Sequence, residues 1–128
     1  MEPARRILIV DDEAQLLKMM RVYLQRLGYI VTVCDTTDDA WRLVDTEPEA
    51  FAAAVLDASM TGLSMEDLAL RILRANGGVR VLATSGYPVD MGILEAAAPG
   101  RVAFLHKPFP PERLADTLRR MLAAEKEV

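Results

Sequence analysis

The chain has 128 residues, of which 52% are hydrophobic and 27% are charged, and these values indicate one globular domain spanning residues 1–128. The net charge of −4 argues against a nucleic-acid partner, because DNA binding requires a basic face. The single cysteine, Cys34, cannot form an internal disulfide, and no apolar stretch is long enough to span a bilayer. We therefore expect a cytoplasmic protein without direct membrane contact.

Apolar runs that are closed by polar or turn residues predict the β-strands. In chain order these runs are residues 7–10, 30–34, 51–57, 79–83 and 102–105. The second run is β-branched and partly alternating, which suits an edge strand. The first run is apolar throughout, as is typical of a central parallel strand covered by helices on both faces, and the third is expected to be the central strand of the sheet.

Segments with apolar residues at helical spacing predict a helix after each strand. Their expected limits are Asp12 to the stop at Gly28, Thr36 or Thr37 to about Thr46, the Ser64 cap to Asn76, about Asp90 to Ala97, and Pro110-Pro111 onward. Strands alternating with helices demand a parallel, doubly wound sheet, because right-handed crossovers place helices on both faces. In such sheets the functional site lies at the carboxyl ends of the strands.

Polar side chains follow four of the predicted strands at that edge. They are Asp11 and Asp12, Asp57, Thr84 and Lys107. Three carboxylates in a partly buried cleft repel one another, and Mg²⁺ is the natural partner because it prefers carboxylate oxygens. With the metal and Lys107 in place, an anionic phosphoryl group can approach, and one carboxylate can carry it as an acyl phosphate. The pattern therefore favours phosphoryl transfer, which depends mainly on positioning and charge neutralisation.

Each of these residues also has a purely structural interpretation. Asp12 could cap the first helix, with Gln15 completing a capping box, and Asp57 could be an ordinary turn residue after a strand. Thr84 fits a strand end, and Lys107 taken singly is a solvated charge. The occurrence of all four at the same end of successive strands favours the chemical interpretation.

Four segments resemble the motifs of the receiver domain of two-component response regulators. They are the first strand with its acidic pair in residues 7–13, the phosphoacceptor strand in 55–57, the strand and loop with the switch hydroxyl in 83–87, and the last strand with its aromatic residue and lysine in 104–109. The resemblance covers essentially the whole chain. It implies an α/β, flavodoxin-like (βα)5 sandwich with a five-stranded parallel sheet in the order 2-1-3-4-5.

By this resemblance, Asp57 is the phosphoacceptor. It receives a phosphoryl group from the phosphohistidine of a sensor histidine kinase or of a histidine phosphotransfer domain. Asp12 and Asp57 ligate Mg²⁺ together with the backbone carbonyl of Ser59, Asp11 holds the ion partly through water, and no other cofactor is implied.

The resemblance also implies that Thr84 and Lys107 bind the phosphoryl oxygens and that the Lys107–Pro108 peptide bond is cis. Thr84 and Phe104 are the switch residues, and their movement changes the surface of the fourth helix, fifth strand and fifth helix, which an unknown downstream partner reads. Residues 84–109 look most like the C-terminal receivers of hybrid sensor histidine kinases. We therefore expect either such a domain or a stand-alone receiver, of bacterial origin, with a weak homodimer left open.

Three other functions compete with that of a signalling receiver. An aspartate-nucleophile phosphohydrolase usually has a second aspartate two residues after the nucleophile, where Ser59 stands here. A flavin-binding module needs a Ser-, Thr- and Gly-rich phosphate loop after the first strand, and the acidic residues 11–13 would repel a phosphate. A degenerate receiver acting only as a protein-interaction module would lack the intact constellation. The chain is therefore expected to catalyse only its own phosphorylation and dephosphorylation.

Overall fold

The computed structural model describes residues 4–124. Within this range, five strands form one sheet: β1 (Arg6–Val10), β2 (Ile30–Cys34), β3 (Ala53–Asp57), β4 (Arg80–Ser85) and β5 (Val102–His106). Every strand pair is parallel and the order is β2-β1-β3-β4-β5, which confirms the doubly wound α/β fold and the edge position of β2. The carboxyl ends of all the strands therefore open at one edge of the sheet.

Helices pack on both faces of this sheet. They are α1 (Ala14–Arg26), α2 (Thr37–Thr46), α3 (Met65–Ala75), α4 (Gly92–Ala97) and α5 (Pro111–Ala124). Side chains alternate along β1, so that Leu8 and Val10 face the core beneath α2, α3 and α4, whereas Ile7 and Ile9 face the core beneath α1 and α5. No helix within residues 4–124 is long and apolar enough to cross a membrane.

Local sequence signals account for several helix ends. Gly28, directly after α1, has a φ of 99°, a left-handed conformation that favours glycine. Thr36 caps α2 by accepting a hydrogen bond from the Asp39 N–H at 3.1 Å, and Ser64 caps α3 by accepting one from the Asp67 N–H at 3.1 Å. These predicted helix limits are confirmed.

The start of α1 differs from the prediction. The helix begins at Ala14 rather than Asp12, and its N-cap residue, Glu13, makes no side-chain capping bond. Instead, the Asp11 carboxylate accepts the Glu13 N–H at 2.9 Å, so the residue directly after β1 fixes the N-cap position of the helix. The alternative in which Asp12 caps the helix with Gln15 is wrong, and Asp12 is exposed.

Three further limits are corrected. β3 begins at Ala53 rather than at residue 51. β4 continues to Ser85, beyond its predicted end at residue 83, because the Lys107 N–H still donates to the Ser85 carbonyl at 2.8 Å. α4 begins at Gly92 rather than near Asp90, because the Asp90 side chain accepts the Gly92 N–H at 2.8 Å and holds a turn before the helix.

Candidate functional site

The functional side chains predicted from the sequence lie at the carboxyl edge of the sheet. Asp11 follows β1, Asp57 ends β3, Thr84 lies near the end of β4 and Lys107 follows β5. Asp57 and Thr84 are register partners on adjacent strands, and the Ala58 N–H donates to the Thr84 carbonyl at 2.8 Å. The predicted convergence of these side chains at one edge of the sheet is therefore confirmed.

Three carboxylates form a compact acidic group at this edge. One oxygen from each of Asp11, Asp12 and Asp57 lies within 4.8 Å of the other two. Asp11 is 1% exposed and Asp57 is 2% exposed, whereas Asp12 faces solvent. Hard oxygen donors at this separation, with one open side, suit a divalent cation that keeps part of its water shell.

Burial raises the pKa of the Asp11 carboxyl above its ordinary value of 3.8. Hydrogen bonds from Lys107 and from the Glu13 N–H favour the charged form but do not offset this desolvation, and the charge of Asp57 adds to the rise in pKa. Keeping Asp11 charged therefore costs free energy, and a neighbouring cation reduces this cost.

Lys107 supplies a cation to the acidic group. Its Nζ donates to Asp11 Oδ2 at 2.8 Å and to Glu13 Oε1 at 3.2 Å, and it lies 3.5 Å from Asp57 Oδ2. Burial alone would lower the pKa of this ammonium, but the hydrogen bonds and charges of the three carboxylates raise its pKa above the ordinary 10.5. Lys107 is thus charged at physiological pH. The Lys107–Pro108 peptide bond is cis, as the resemblance implied.

Ser59 contacts Asp57 in a way that sequence reasoning missed. The Ser59 N–H and hydroxyl both donate to Asp57 Oδ1, at 3.1 and 3.0 Å, and the hydroxyl lies 3.2 Å from Oδ2. The available signal was the position of Ser59 two residues after an aspartate, where an Asx turn directs an N–H at the carboxylate. The predicted role of the Ser59 carbonyl as a metal ligand stays a prediction.

The two predicted switch residues lie on neighbouring strands. Thr84 is buried on β4, whereas Phe104 is partly buried on β5 and packs against the core beneath α2, α3 and α4. The Phe104 ring meets the ring of His106 edge-on, with centroids 6.5 Å apart, and His106 is exposed. Phe104 therefore lies on the outermost strand β5, between the buried core and the exposed His106.

A cleft of about 530 Å³ opens beside the acidic group. Glu13, Ser59, Tyr87 and Lys107 are among its lining residues, so the loops after β1, β3, β4 and β5 all contribute to it. The cleft is the solvent-side approach to Lys107 and Ser59, which both contact Asp57.

Comparison with known proteins agrees with this geometry. The family of the response regulator receiver domain matches residues 7–119. The chain is similar to the DNA-binding response regulator MtrA of Mycolicibacterium paratuberculosis, with 28% identity over 119 residues that make up 92% of this chain and 51% of that protein. It thus spans about half the length of MtrA proteins.

Solved structures of receivers have the same architecture. A CheY-like response regulator receiver domain protein from Methanospirillum hungatei JF-1 has a TM-score of 0.83 at 25% identity, and the match covers 97% of this chain and 98% of that one. TrrA from Thermotoga maritima, in complex with Mg(2+)-BeF, has a TM-score of 0.77 at 21% identity, with 91% and 98% covered, and shows the likeness of fold alone. Because the family match extends over residues 7–119, a range that includes the acidic group and Lys107, the chain belongs to the response regulator receiver domain family.

Proposed function

We propose that the chain is the phospho-accepting receiver of a two-component phosphorelay, with Asp57 as the acceptor. The observation that carries this proposal is the setting of Asp57, a buried carboxylate at the end of β3, beside two further carboxylates and 3.5 Å from the Lys107 ammonium. Burying like charges together lowers the stability of a fold. Binding of a cation, followed by an anionic phosphoryl group, gives a functional reason for keeping these carboxylates together.

Asp57 is the nucleophile of the transfer. One carboxylate oxygen attacks the phosphorus of a phosphohistidine, an O–P bond forms, and the P–N bond breaks with its electron pair going to the imidazole nitrogen of the donor. The N–H and hydroxyl of Ser59 orient the carboxylate during this attack. Water later cleaves the acyl phosphate, which returns Asp57 and releases phosphate. The chain therefore acts only on its own phosphorylation state.

Asp11, Asp12 and Asp57 fit Mg²⁺ as carboxylate ligands, and the backbone carbonyl of Ser59 is proposed as a further ligand. When bound, Mg²⁺ neutralises charge on the acidic group and on the phosphoryl oxygens. The exposure of Asp12 leaves space for the waters that this ion retains. The complex of TrrA with Mg(2+)-BeF, on the same fold, is consistent with a site of this kind.

Lys107 and Thr84 bind the transferred phosphoryl group. Lys107 Nζ lies 3.5 Å from Asp57 Oδ2, and Thr84 is the register partner of Asp57 on β4. An ammonium and a hydroxyl near the acceptor supply charge and hydrogen bonds to oxygens that become more negative during transfer. Movement of Thr84 and Phe104 then alters the surface formed by α4, β5 and α5, which a downstream protein reads.

The proposed donor is a sensor histidine kinase or a histidine phosphotransfer domain in the cytoplasm. The DNA binding named for MtrA belongs to that protein, and the net charge of −4 argues against a nucleic-acid partner for this chain. The bacterial source, the hybrid-kinase context and the weak homodimer stay predictions.

The intact mass of the protein after incubation with acetyl phosphate tests the proposal. The wild type is expected to gain a phosphoryl group in the presence of Mg²⁺ and not in EDTA. Asp57→Asn is expected to gain none, because the amide is a poor nucleophile. Asp35→Asn is the matched control, since Asp35 is an exposed aspartate after β2, and it should behave as the wild type.

Three other results would each contradict this proposal in a different way. A mass gain that survives in Asp57→Asn identifies a different acceptor. No gain from acetyl phosphate or from a panel of phosphorylated histidine domains favours a module that acts only by protein interaction. Continuous release of phosphate from small phosphate esters favours an aspartate-nucleophile phosphohydrolase.

A further inference from the structure

Glu13 contacts Lys107 from the solvent side of the acidic group. Its Oε1 accepts from Lys107 Nζ at 3.2 Å, while Asp11 Oδ2 accepts from the same nitrogen at 2.8 Å. Asp57 Oδ2 is the third carboxylate oxygen near this ammonium, at 3.5 Å. Lys107 thus donates hydrogen bonds to two carboxylates and forms an ion pair with a third, so a new acceptor competes with these oxygens for the ammonium.

The three carboxylates differ in how easily Lys107 can leave them. The side chains of Asp11 and Asp57 are each 1% exposed, so withdrawing the ammonium from either would leave a buried charge without its partner. The side chain of Glu13 is 62% exposed, and water can replace its bond to Lys107 at little cost. Glu13 is therefore the partner that Lys107 can exchange.

We propose that Glu13 is a positioning residue that holds one donor of Lys107 until phosphoryl transfer, when an oxygen of the incoming phosphoryl group displaces it. This inference rests on the proposed role of Asp57 as acceptor. The Glu13–Lys107 contact has to break as Lys107 turns toward the phosphoryl group, so it slows formation of the acyl phosphate. Glu13 lines the cleft beside the acidic group, and its displaced carboxylate moves into solvent.

The rate of Asp57 phosphorylation tests the inference. With acetyl phosphate, an O–P bond to Asp57 forms, the P–O bond to the acetyl group breaks, and acetate leaves with the electron pair. The rate of mass gain is compared in the wild type, Glu13→Gln and Glu13→Asp. Both variants are expected to react about twofold to fivefold faster, the range that corresponds to the loss of one exposed ion pair.

The Glu13→Asp variant distinguishes the effect of the contact with Lys107 from the effect of the negative charge of Glu13. It keeps the negative charge but shortens the side chain, so it loses the 3.2 Å contact with Lys107. Phosphoramidate serves as a second donor because it carries less negative charge than acetyl phosphate at neutral pH. If Glu13 acts by holding Lys107, the acceleration is the same with both donors.

Glu49→Gln is the matched control. Glu49 is exposed and lies between α2 and β3, at the opposite edge of the sheet from the acidic group, and the variant removes the same charge as Glu13→Gln. Its phosphorylation rate is expected to equal that of the wild type.

The Nζ signal of Lys107 reports the contact directly. The sequence has three lysines, Lys18, Lys107 and Lys126, so a Lys107→Arg variant assigns the signal in the ¹⁵N spectrum. The Lys107 signal is expected to shift or broaden in both Glu13 variants and to stay unchanged in Glu49→Gln. A global change of fold would also move the backbone amide signals throughout the sheet.

The outcomes are distinct. Equal or slower phosphorylation in both Glu13 variants overturns the inference and leaves Asp57 as the acceptor. Acceleration only in Glu13→Gln, and only with acetyl phosphate, shows that the charge of Glu13 repels the donor, which also overturns the positioning role. An absence of any Asp57-dependent mass gain refutes the proposed function itself, and this inference with it.

Discussion

Asp12 is the exposed member of the acidic group. A substitution at Asp12 can therefore change metal binding without disturbing the packing of the core. Its carboxylate lies within 4.8 Å of those of Asp11 and Asp57. Two like charges about 4 Å apart repel by about 1 kcal/mol in bulk water and by about 4 kcal/mol near a protein surface. Because Asp12 faces solvent, its repulsion lies toward the lower of these values.

Replacement of Asp12 by asparagine is expected to raise the free energy of unfolding in EDTA by about 1 kcal/mol, because one repelling charge is removed. The same variant should lose most of the stabilisation that Mg²⁺ gives the wild type, since a ligand that binds the folded state stabilises it by mass action. Thermal unfolding across a Mg²⁺ titration measures both effects.

Asp35→Asn is again the matched control, and its response to Mg²⁺ should equal that of the wild type. A response to Mg²⁺ in Asp12→Asn as large as in the wild type would contradict the assignment of Asp12 as a ligand. Lower stability of Asp12→Asn in EDTA would show that repulsion within the acidic group is already offset.

At the scale of elements, α2 and α3 begin with capping side chains that the sequence predicts. Thr36→Ala and Ser64→Ala are each expected to lower the free energy of unfolding by about 1 kcal/mol, because each leaves a first-turn N–H without its acceptor. Urea denaturation at constant m-value measures the loss.

Thr46→Ala is the control for the capping variants. Its hydroxyl donates to the Arg42 carbonyl at 2.9 Å within α2, a bond that contributes little to a helix, and alanine has the higher helix propensity. The variant is expected to be as stable as the wild type or slightly more stable. Equal losses in Thr36→Ala and Thr46→Ala would argue against a capping role.

Arg101 connects two elements in a way that no local pattern indicated. Its guanidinium donates to the carbonyls of Leu73 and Asn76 at the end of α3, and to that of Val79 before β4. These partners are 22 to 28 residues away in the chain. Sequence reasoning missed Arg101 because only the packing of α3 beside the start of β4 brings those carbonyls to it.

At the scale of the whole molecule, Lys107 joins β5 to β1 across the mouth of the site. It bonds Asp11, which is 96 residues away, and the two strands are separated by β3 and β4. Lys107→Gln is expected to lower the free energy of unfolding by about 2 kcal/mol at neutral pH, because a buried carboxylate loses its cation.

The pH dependence of this difference follows from the raised pKa of Lys107. A group whose pKa is higher in the folded state contributes its full stability below its unfolded pKa, here 10.5, and loses it as the pH rises through the folded value. The stability difference between the wild type and Lys107→Gln should therefore be constant at neutral pH and shrink above about pH 10.5. Urea unfolding at stepped pH values measures this difference.

Lys18→Gln is the control for the pH series, since Lys18 is exposed on α1. It should follow the wild type at every pH. A difference between the wild type and Lys107→Gln that persists unchanged above the folded pKa would mean that packing of the lysine stem, rather than its charge, supports the fold.

Much of the fold could be predicted because the information lies within short segments. Apolar runs predict β1 and β2, the threonine and serine caps predict the starts of α2 and α3, and Gly28 predicts the end of α1. Alternation of strands and helices then demands a parallel sheet, whose chemistry lies at its carboxyl edge. Asp11, Asp12, Asp57, Thr84 and Lys107 could therefore be assigned to one site from their positions alone.

The contacts within that site depend on tertiary structure. The start of α1 was predicted wrongly because Asp11, and not Asp12, bonds the backbone at the helix start, where it accepts the N–H of the N-cap residue Glu13, and local propensity does not distinguish two adjacent aspartates. The hydrogen bonds from Ser59 to Asp57, at 3.1 and 3.0 Å, and from Lys107 to Asp11 and Glu13, at 2.8 and 3.2 Å, depend on how the loops after separate strands pack together. The sequence alone determined which side chains reach the carboxyl edge of the sheet, because each follows its own strand. Only the tertiary structure decided which of them form hydrogen bonds and how much free energy their burial costs, because both depend on the packing of separate strands.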